Sequence, residues 1–420
     1  MEEWKTYTVG DIYNVQNGYA FRSSDFYDDG TVSSYEVLKI GHIEIGGGLR
    51  QTPKRNYVDR LPKYAKWVLN KGDIVMGMTD MKSNIQILGV PAMVDISDHY
   101  ALNQRVGRLS IKDPNIFDND FFYFQMRSDT FLEELRKKAN SGVQVNLTTE
   151  AIKSTHLYAP SYKTQCRIGR ILRNLEDKIV LNNRINHNLE EQAQALYKSW
   201  FVNFEPFRYG NFVDSELGLI PEGWKIGKIN DVINLLSGFP FKSSDFQENG
   251  DYQLITIKGV QDGYLDVTSA DMLSSLPSKM PQYCILNIGD ILISLTGNVG
   301  RICIVDRNNL LLNQRVAILS PKNIRDSFYV YTMFRSESMK DELIHLARGT
   351  AQLNLSPIET GEKLTVIPPD SILEAFAKVG KGTFNQYISL KMENIRLIEM
   401  RDFLLPKFMS GELNINDLTC

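Results

Sequence analysis

Short runs in which apolar and polar positions alternate fill the first part of the chain: LKIGHIEIGGGL from Leu38, GDIVMGMT from Gly72, IQILGVPAMVDI from Ile85 and ALNQRVGRLSI from Ala101. Gly, Pro, Asn and Asp separate them, and a period of two broken in this way predicts strands of an irregular sheet. A helix is expected next, DFFYFQMRSDTFLEELRKKA from Asp120, then a last strand ending at Pro160. The order returns with LITIKGV from Leu254, GDILISLT from Gly289, GRICIVD from Gly300 and LLNQRVAILS from Leu311. A helix from Ser327 and a strand running to Pro369 complete the second set.

After each proline the period lengthens to that of a helix. A 4-3 spacing links Ile168, Leu172, Leu175, Ile179, Asn182, Asn186, Leu189, Ala193, Leu196 and Trp200 on one seam, which suits a coiled coil better than a helix of a compact domain. The second copy keeps Phe384, Ile388, Ile395, Ile398 and Leu405 on a seam that Lys391 and Asp402 interrupt. Each helix has apolar positions to spare: Tyr387, Leu390, Leu397 and Leu404 on the second, and Ile171, Leu181 and Ile185 on the first. A surplus stripe needs either a domain wall or another subunit, and a subunit is the expectation. Pro206 is expected to stop the first helix, Pro406 and Gly411 to end the second, and the Gly380/Gly382 pair to form a flexible lead-in to the second.

The two sets of elements are copies. NGYAFRSSDFYDDG at 17–30 matches SGFPFKSSDFQENG at 237–250, Trp4-Lys5 returns as Trp224-Lys225, and LNKGDIVMGMT from Leu69 returns as LNIGDILISLT from Leu286. LNQRV from Leu102 returns from Leu312, and GVQVNLT from Gly142 finds TAQLNLS from Thr350. The order holds while the offset drifts from 220 to 208, as loop insertions would produce. A unit of this size is a duplicated domain and not a solenoid repeat.

The fold class expected is therefore α+β: two duplicated β-rich domains, each followed by a long helix, the two helices pairing as an antiparallel coiled coil. The divisions read from the sequence are 1–160 for the first domain, 161–205 for the first long helix, 206–221 for a connector, 222–370 for the second domain and 371–416 for the second long helix.

Composition narrows the function. With 43% hydrophobic and 23% charged residues in 420, the chain reads as a globular protein of two or more domains. Cys166, Cys284, Cys303 and Cys420 form no CxxC pair and read as incidental thiols of a reducing cytosol. No apolar run approaches a membrane span and MEEWKTYTVGD lacks the pattern of a secretion signal, so a cytoplasmic location is expected. A net charge of −3 argues against a surface that binds nucleic acid everywhere, so such contacts must be local or shared with a partner.

Catalytic signatures are missing. No glycine-rich cofactor turn or Asn/Asp-Pro-Pro-aromatic string is present, since the one Pro-Pro, Pro368-Pro369, precedes Asp370. VGKGTF at 379–384 lacks the first glycine and the strand of a phosphate loop. The five histidines are scattered, and Asp25 and Asp245 in the repeated SSDF read as turn or cap residues. No metal or cofactor is expected. What remains is local basic charge. RQTPKRNYVDRLPKYAKW carries Arg50, Lys54, Arg55, Arg60, Lys63 and Lys66 against Asp59 alone, and it is either a solvated face or a DNA-contacting loop. Arg105 and Arg315 of the two NQRV strings are candidates of the same kind; their placement in predicted strands favours a structural role.

The duplicated domains, the long helix after each, LEEQAQALYKSWFVNFEPF at 189–207 and LLPKFMSGEL near the end together resemble the specificity (S) subunit of Type I restriction-modification systems. The resemblance covers essentially the whole chain. It implies that each β-rich unit is a target recognition domain for half of a bipartite double-stranded DNA sequence. It further implies that the helices hold the domains apart, and that two adenine methyltransferase (modification) subunits and, through them, the motor-nuclease restriction subunits are partners. Catalysis would then lie on those partners. Ile168, Leu172, Leu175, Ile179, Leu189, Leu196, Trp200, Phe384, Ile388, Ile395, Ile398 and Leu405 are assigned to helix pairing and subunit docking. A seam from Ile168 to Trp200 would be roughly 50 Å long at ~1.5 Å per residue, enough to separate half-site centres by about 10 to 15 base pairs. The readings set against this are a self-contained modification enzyme and a tandem β-domain adaptor for carbohydrate or protein.

Overall fold

A computed structural model describes residues 3–50, 53–140, 142, 144–349 and 352–413. Cys420 and the last residues assigned to the second helix, 414–416, lie outside the described residues. The chain divides into two compact units that are not contiguous in sequence: one holds the residues up to Lys178 and those from Leu397 on, and the other holds Ile179–Arg396. Each long helix contributes its two ends to different units.

In the first unit a four-stranded antiparallel sheet has the order Tyr13–Asn17, Val106–Ile111, Ile74–Gly77, Pro91–Met93. A second sheet sets Ser34–Leu38 between Tyr57–Asp59 and a parallel neighbour, Tyr100–Leu102. Lys5–Thr8 pairs with His156–Ala159 and closes the unit. The second unit repeats this plan with Ile233–Ser237, Val316–Pro321, Ile291–Ser294 and Ile302–Ile304, and again with Tyr252–Ile255 beside a parallel Leu310–Leu312. Lys225–Lys228 and Leu364–Ile367 close it.

Several predicted strands are shorter than their apolar runs. The run from Leu38 turns at once into a 3-10 segment, Ile40–His42, and only Pro91–Met93 of the run from Ile85 is paired. GDI is a turn signature: the Asp73 and Asp290 carboxylates each accept the N–H three residues back, from Asn70 and Asn287 at 2.7 Å, while Gly72 and Gly289 take φ +90° and +95°. The SSDF strings form 3-10 turns, Ser23–Asp25 and Ser243–Asp245, and Asp25 accepts the Arg22 N–H.

The helix expected after each set of strands is two helices. Ser128 and Ser336 leave the helical conformation at ψ 147° and 145°, and their hydroxyls cap Asp129–Lys137 and Glu337–Leu346 by accepting from Phe131 and Met339 N–H. The preceding helices, Asn119–Gln125 and Ser327–Arg335, are almost wholly buried and press the long helices onto their domains.

The first long helix is Tyr162–Tyr197, extended by a π-helical turn at Lys198–Val202. What stops it is Phe204, at φ +53°, ahead of Pro206. The second long helix, Asp370–Met409, runs through Pro406 and contains both Gly380 and Gly382, so the flexible lead-in is not observed. Gly380 has a packing reason instead: a Cβ there would lie 2.0 Å from the Phe328 ring. Gly169 of the first helix is the counterpart, where a Cβ would meet Asp118 Oδ1 at 2.3 Å. A glycine in a helix interior costs about 1 kcal/mol relative to Ala, which close packing against the domain offsets.

Within the first unit, Ile168 and Leu172 are buried in a core with Phe121, Leu109 and Phe408, and Leu405 packs against it. Within the second, Leu189 and Ala193 share a core with Phe376 and Tyr387, against which Leu196, Trp200, Phe384 and Ile388 pack. There Asn182 is fully buried and its amide donates to Glu393 Oε2 at 2.7 Å and Asn394 Oδ1 at 2.9 Å; Asn394 in turn donates to Asn183. Rising positions on one helix meet falling positions on the other, so the helices are antiparallel. Asn182 of the seam and its neighbour Asn183 thus join Glu393 and Asn394 in a polar layer of the kind that fixes helix register.

The surplus stripes find domain walls more than they await a subunit. Tyr387 is buried and Leu390 and Ile185 pack on the second core, while Leu404 and Ile171 pack on the first. Left exposed are Val180 and Leu181 in the second unit and Ile398, Met400 and Phe403 in the first.

A carboxylate ties helices to domain in each unit. In the first, Glu176 accepts from Arg127 at 2.7 Å, Arg401 at 3.3 Å and the Tyr123 hydroxyl at 3.3 Å. In the second, Glu190 accepts from Arg335 at 3.0 Å and the Tyr331 hydroxyl at 2.6 Å. Burial pushes the Glu176 pKa up, but the adjacent Arg127, Arg401 and Arg173 outweigh this and hold it below its ordinary 4.5. Its stabilising share is therefore complete above the unfolded carboxylate's pKa and lost as pH falls through the lower folded value. Glu176→Gln, which leaves Arg127 buried without its counter-charge, should cost about 3 to 5 kcal/mol in urea unfolding near neutral pH. That difference from wild type should shrink as the pH is lowered below 4.5.

Candidate nucleic-acid interface

The strings that recur in both halves come together at one place in each unit. In the first, the chain leaves the four-stranded sheet at Gly18, whose N–H donates to Val106 O at 3.2 Å; Tyr19 N–H donates to Leu102 O, and Gln104 N–H to Tyr19 O. Met78 N–H donates to Arg105 O and Leu147 N–H to Met78 O, while the Thr79 hydroxyl donates to Asn146 Oδ1 at 3.1 Å. The second unit makes the same bonds with Gly238, Phe239, Gln314, Leu295, Arg315 and Leu355, and the Thr296 hydroxyl donates to Asn354 Oδ1 at 3.0 Å. The strands approach so closely that a Cβ on Gly18 would lie 2.0 Å from Asn103 O, and one on Gly238 2.3 Å from Asn313 O. Val143, Thr350 and Ala351 of the GVQVNLT and TAQLNLS strings lie outside the described residues.

Arg105 and Arg315 are not in strands. Each stands with Gln104 or Gln314 in the short turn between two strands, Tyr100–Leu102 and Val106–Ile111 in the first unit, Leu310–Leu312 and Val316–Pro321 in the second. Both residues of each turn are exposed, and among the described residues neither arginine has an ion-pair partner. In the second unit Gln314 and Arg315 line an open cleft of about 350 Å³ with Ser237, Thr296 and Asn354. An open, polar cleft of guanidinium, amide and hydroxyl groups is unlike the enclosed apolar pocket that takes a small ligand, and these groups are the ones that pair with base edges and phosphates.

The basic stretch of the first unit is partly committed within the fold. Arg60 donates twice to Asp98, at 2.5 and 2.7 Å, and once to Ser34 O, and it lies over the Tyr35 ring. Arg55 sits 3.5 Å from Glu36 and Arg50 3.2 Å from Glu44. Lys63 and Lys66 lie over Tyr64 and Trp67 with exposed ammonium ends, and Lys54 is exposed. Glu36 gathers more than Arg55: it is buried, with His42 at 3.0 Å and His99 at 3.3 Å, so two of the scattered histidines converge. Burial raises the Glu36 pKa, but these partners outweigh it and hold the carboxyl below its ordinary value. The parallel strand pairing puts Gln253 at this place in the second unit, so the cluster is not duplicated.

Gln104 and Gln314 stand beside Arg105 and Arg315 in the repeated Asn-Gln-Arg string, whose alternating pattern gives no sign that they are exposed in a turn. Cys284 and Cys303 are buried, and burial pushes the Cys303 thiol up to about 12.

A family model for the Type I restriction modification DNA specificity domain matches residues 1–191 and 221–370. The Type I restriction enzyme HindI specificity subunit of Haemophilus influenzae is 26% identical over 98% of this chain and 100% of its own length. The MjaIX specificity subunit of Methanocaldococcus jannaschii is 27% identical over 71% of this chain and 70% of its own. Among solved structures, the Type-I restriction-modification system S subunit from M. genitalium aligns with a TM-score of 0.61 at 15% identity, covering 97% of this chain and 96% of that one. It shares the plan of two β-rich halves, each followed by a long helix.

The two kinds of residue in this site should separate in experiment. Gly18→Ala and Gly238→Ala, which force a backbone clash, should each destabilise the unit that carries them by more than 2 kcal/mol, as about 1–3 kcal/mol of local strain adds to lost hydrogen bonds. Arg105→Ala and Arg315→Ala should stay within about 0.5 kcal/mol of wild type in unfolding yet weaken DNA binding and lower its salt slope by about one per lost phosphate contact.

Proposed function

This chain belongs to the Type I restriction-modification DNA specificity family, and on that premise we propose that each unit reads one half of a bipartite DNA target. The chain is the non-catalytic specificity component of a Type I enzyme, which decides against the self-contained modification enzyme and the adaptor for carbohydrate or protein. In the proposed division of labour, residues 1–160 and 222–370 are the recognition domains, and the paired helices set the unread gap. Two adenine methyltransferase subunits dock on the helices and bring the motor-nuclease subunits with them.

The observation that carries this reading is the duplicated turn. One main-chain frame is built twice, and each time it presents an exposed Gln-Arg pair, Gln104-Arg105 and Gln314-Arg315. Two equal frames on one chain suit two short contacts separated by a constant distance. Exposed Val180 and Leu181 in one unit, and Ile398, Met400 and Phe403 in the other, supply apolar helix surface for partner subunits. The chain's own net charge of −3 fits a subunit that relies on those partners for much of its phosphate attraction.

Exchanging residues 1–160 for the matching domain of another specificity subunit, in a strain with its modification subunits, tests the reading through the methylated motif. One half-site should change and the other should stay. Changes in both halves, or in neither, would sink it.

The gap is tested separately. Because Asn182 and Asn183 meet Glu393 and Asn394 in one layer that fixes the register, one heptad must be added to both antiparallel helices on the same side of it, after Asn183 and before Glu393. At ~1.5 Å per residue seven residues add about 10 Å, or close to three base pairs. The methylated motif should keep both half-sites and lengthen its unread gap by about that amount.

A further inference from the structure

The two copies differ beside the duplicated turn, where the first carries six extra residues. The offset between copies is 217 at Thr79 and Thr296 but 211 at Gly89 and Gly300. The flanking strands agree with that count, since Val75 pairs with Ala92 and Leu292 with Cys303. In the second unit the connection is only Gly297-Asn298-Val299, folded tightly with Gly297 at φ +76° and the Ser294 hydroxyl donating to Asn298 O.

In the first unit the longer connection, 80–88, is built on one carboxylate. Asp80 Oδ2 accepts the N–H groups of Gln86, Ile87 and Leu88 at 2.7, 2.6 and 3.2 Å, and Oδ1 accepts that of Met81 at 2.8 Å. Charge-assisted bonds of this kind are strong and directional. Beyond the anchor, Asn84 N–H donates to Met81 O at 3.0 Å, which closes a tight turn with Lys82 and Ser83 at its tip. The turn is joined to the site, because Gln144–Asn146 pairs along Thr79–Met81.

Residues 81–86 are all exposed, and the side chains of Lys82, Ser83 and Asn84 make no hydrogen bond or ion pair with any described residue. That contrasts with Arg60, whose donors are committed to Asp98 and Ser34. A spacer would need no such anchor, and ordering each of its residues costs conformational entropy.

We infer that the Lys82–Asn84 turn is a second DNA-reading element, present in the first unit and missing from the second. Lys82 supplies a cation for a phosphate or a guanine edge, and Asn84 an amide for an adenine edge. The first half-site then includes base pairs that Gln104 and Arg105 do not reach. This inference rests on the reading that each unit reads one half-site.

The test uses the assembled complex of this chain with its modification subunits. First, the domain exchange identifies which half of the methylated motif belongs to the first unit. Then two variants are compared with wild type in competition binding against DNAs altered one base pair at a time: Lys82→Ala/Ser83→Ala/Asn84→Ala, and replacement of 80–88 by Gly-Asn-Val. The triple variant changes only exposed side chains and leaves the Asp80 anchor in place, so it remains decisive if the shortened loop does not fold. Expected is a roughly tenfold or greater loss of discrimination at one or more base pairs of the first half-site, with the second half-site unaffected. Unchanged discrimination everywhere, or an equal loss in both halves, would overturn the inference. If instead the domain exchange fails to change a single half-site, it is the underlying reading that fails.

Discussion

Each unit's sheets are held to the long helices by an apolar core, and one largely buried carboxylate gives that attachment its direction. Glu176 and Glu190 lie on the same helix, fourteen positions apart, and each faces a tyrosine and an arginine from its own domain, Tyr123 with Arg127 and Tyr331 with Arg335. The arginines then reach the loops beyond. Arg127 donates to Gly46 O, and Arg335 pairs with Asp262, whose neighbour Gly263 accepts from Tyr387 and Lys391 of the second helix. A buried ion pair adds little net stability over a well-packed apolar substitute, but it tolerates very few geometries. Apolar packing on the two cores is non-directional, whereas these bonds require each carboxylate to meet a hydroxyl and a guanidinium at once.

The duplication separates what the fold needs from what it leaves free. Kept in both copies are the turn glycines, the GDI turn, the Ser caps at 128 and 336, the helix glycines 169 and 380, and the threonine-to-asparagine bond that joins two strings. Diverged are the basic stretch, the Glu36 cluster with His42 and His99, and the connection after Thr79 or Thr296. The preserved set is made largely of main-chain geometry and close approach. The diverged set is side-chain chemistry facing solvent or lying under the loops.

Much of this was legible in the sequence because the repeat acts as an internal control. The duplicated domains follow from the matched strings and the two long helices from their apolar spacing, while the family resemblance rests on these together with LEEQAQALYKSWFVNFEPF and LLPKFMSGEL. Finer errors share one cause: local pattern does not report tertiary contact. Gly380 looks like a flexible joint until Phe328 is seen to fill the space of its missing side chain. The NQRV run has the alternation of one strand, yet it is a turn between two, because strand ends must bend where Gly18 and Gly238 pass. Spare apolar stripes read as docking surface in a single sequence, which does not show that Tyr387 and Ile185 are claimed by a domain wall. The Tyr-x-x-x-Arg repeat at 123–127 and 331–335 was visible, and helical spacing alone would have placed both side chains on one face.

The frame beneath the Gln-Arg turns has a consequence for how such a protein changes over time. Its bonds run from amide to carbonyl, and no glutamine or arginine side chain takes part in them. Truncating the side chains at positions 104, 105, 314 or 315 therefore removes none of these bonds. Variants at these positions can then differ in exposed chemistry without giving up a bond of the frame. A surface of this kind can be rewritten one side chain at a time while the frame beneath it keeps every bond.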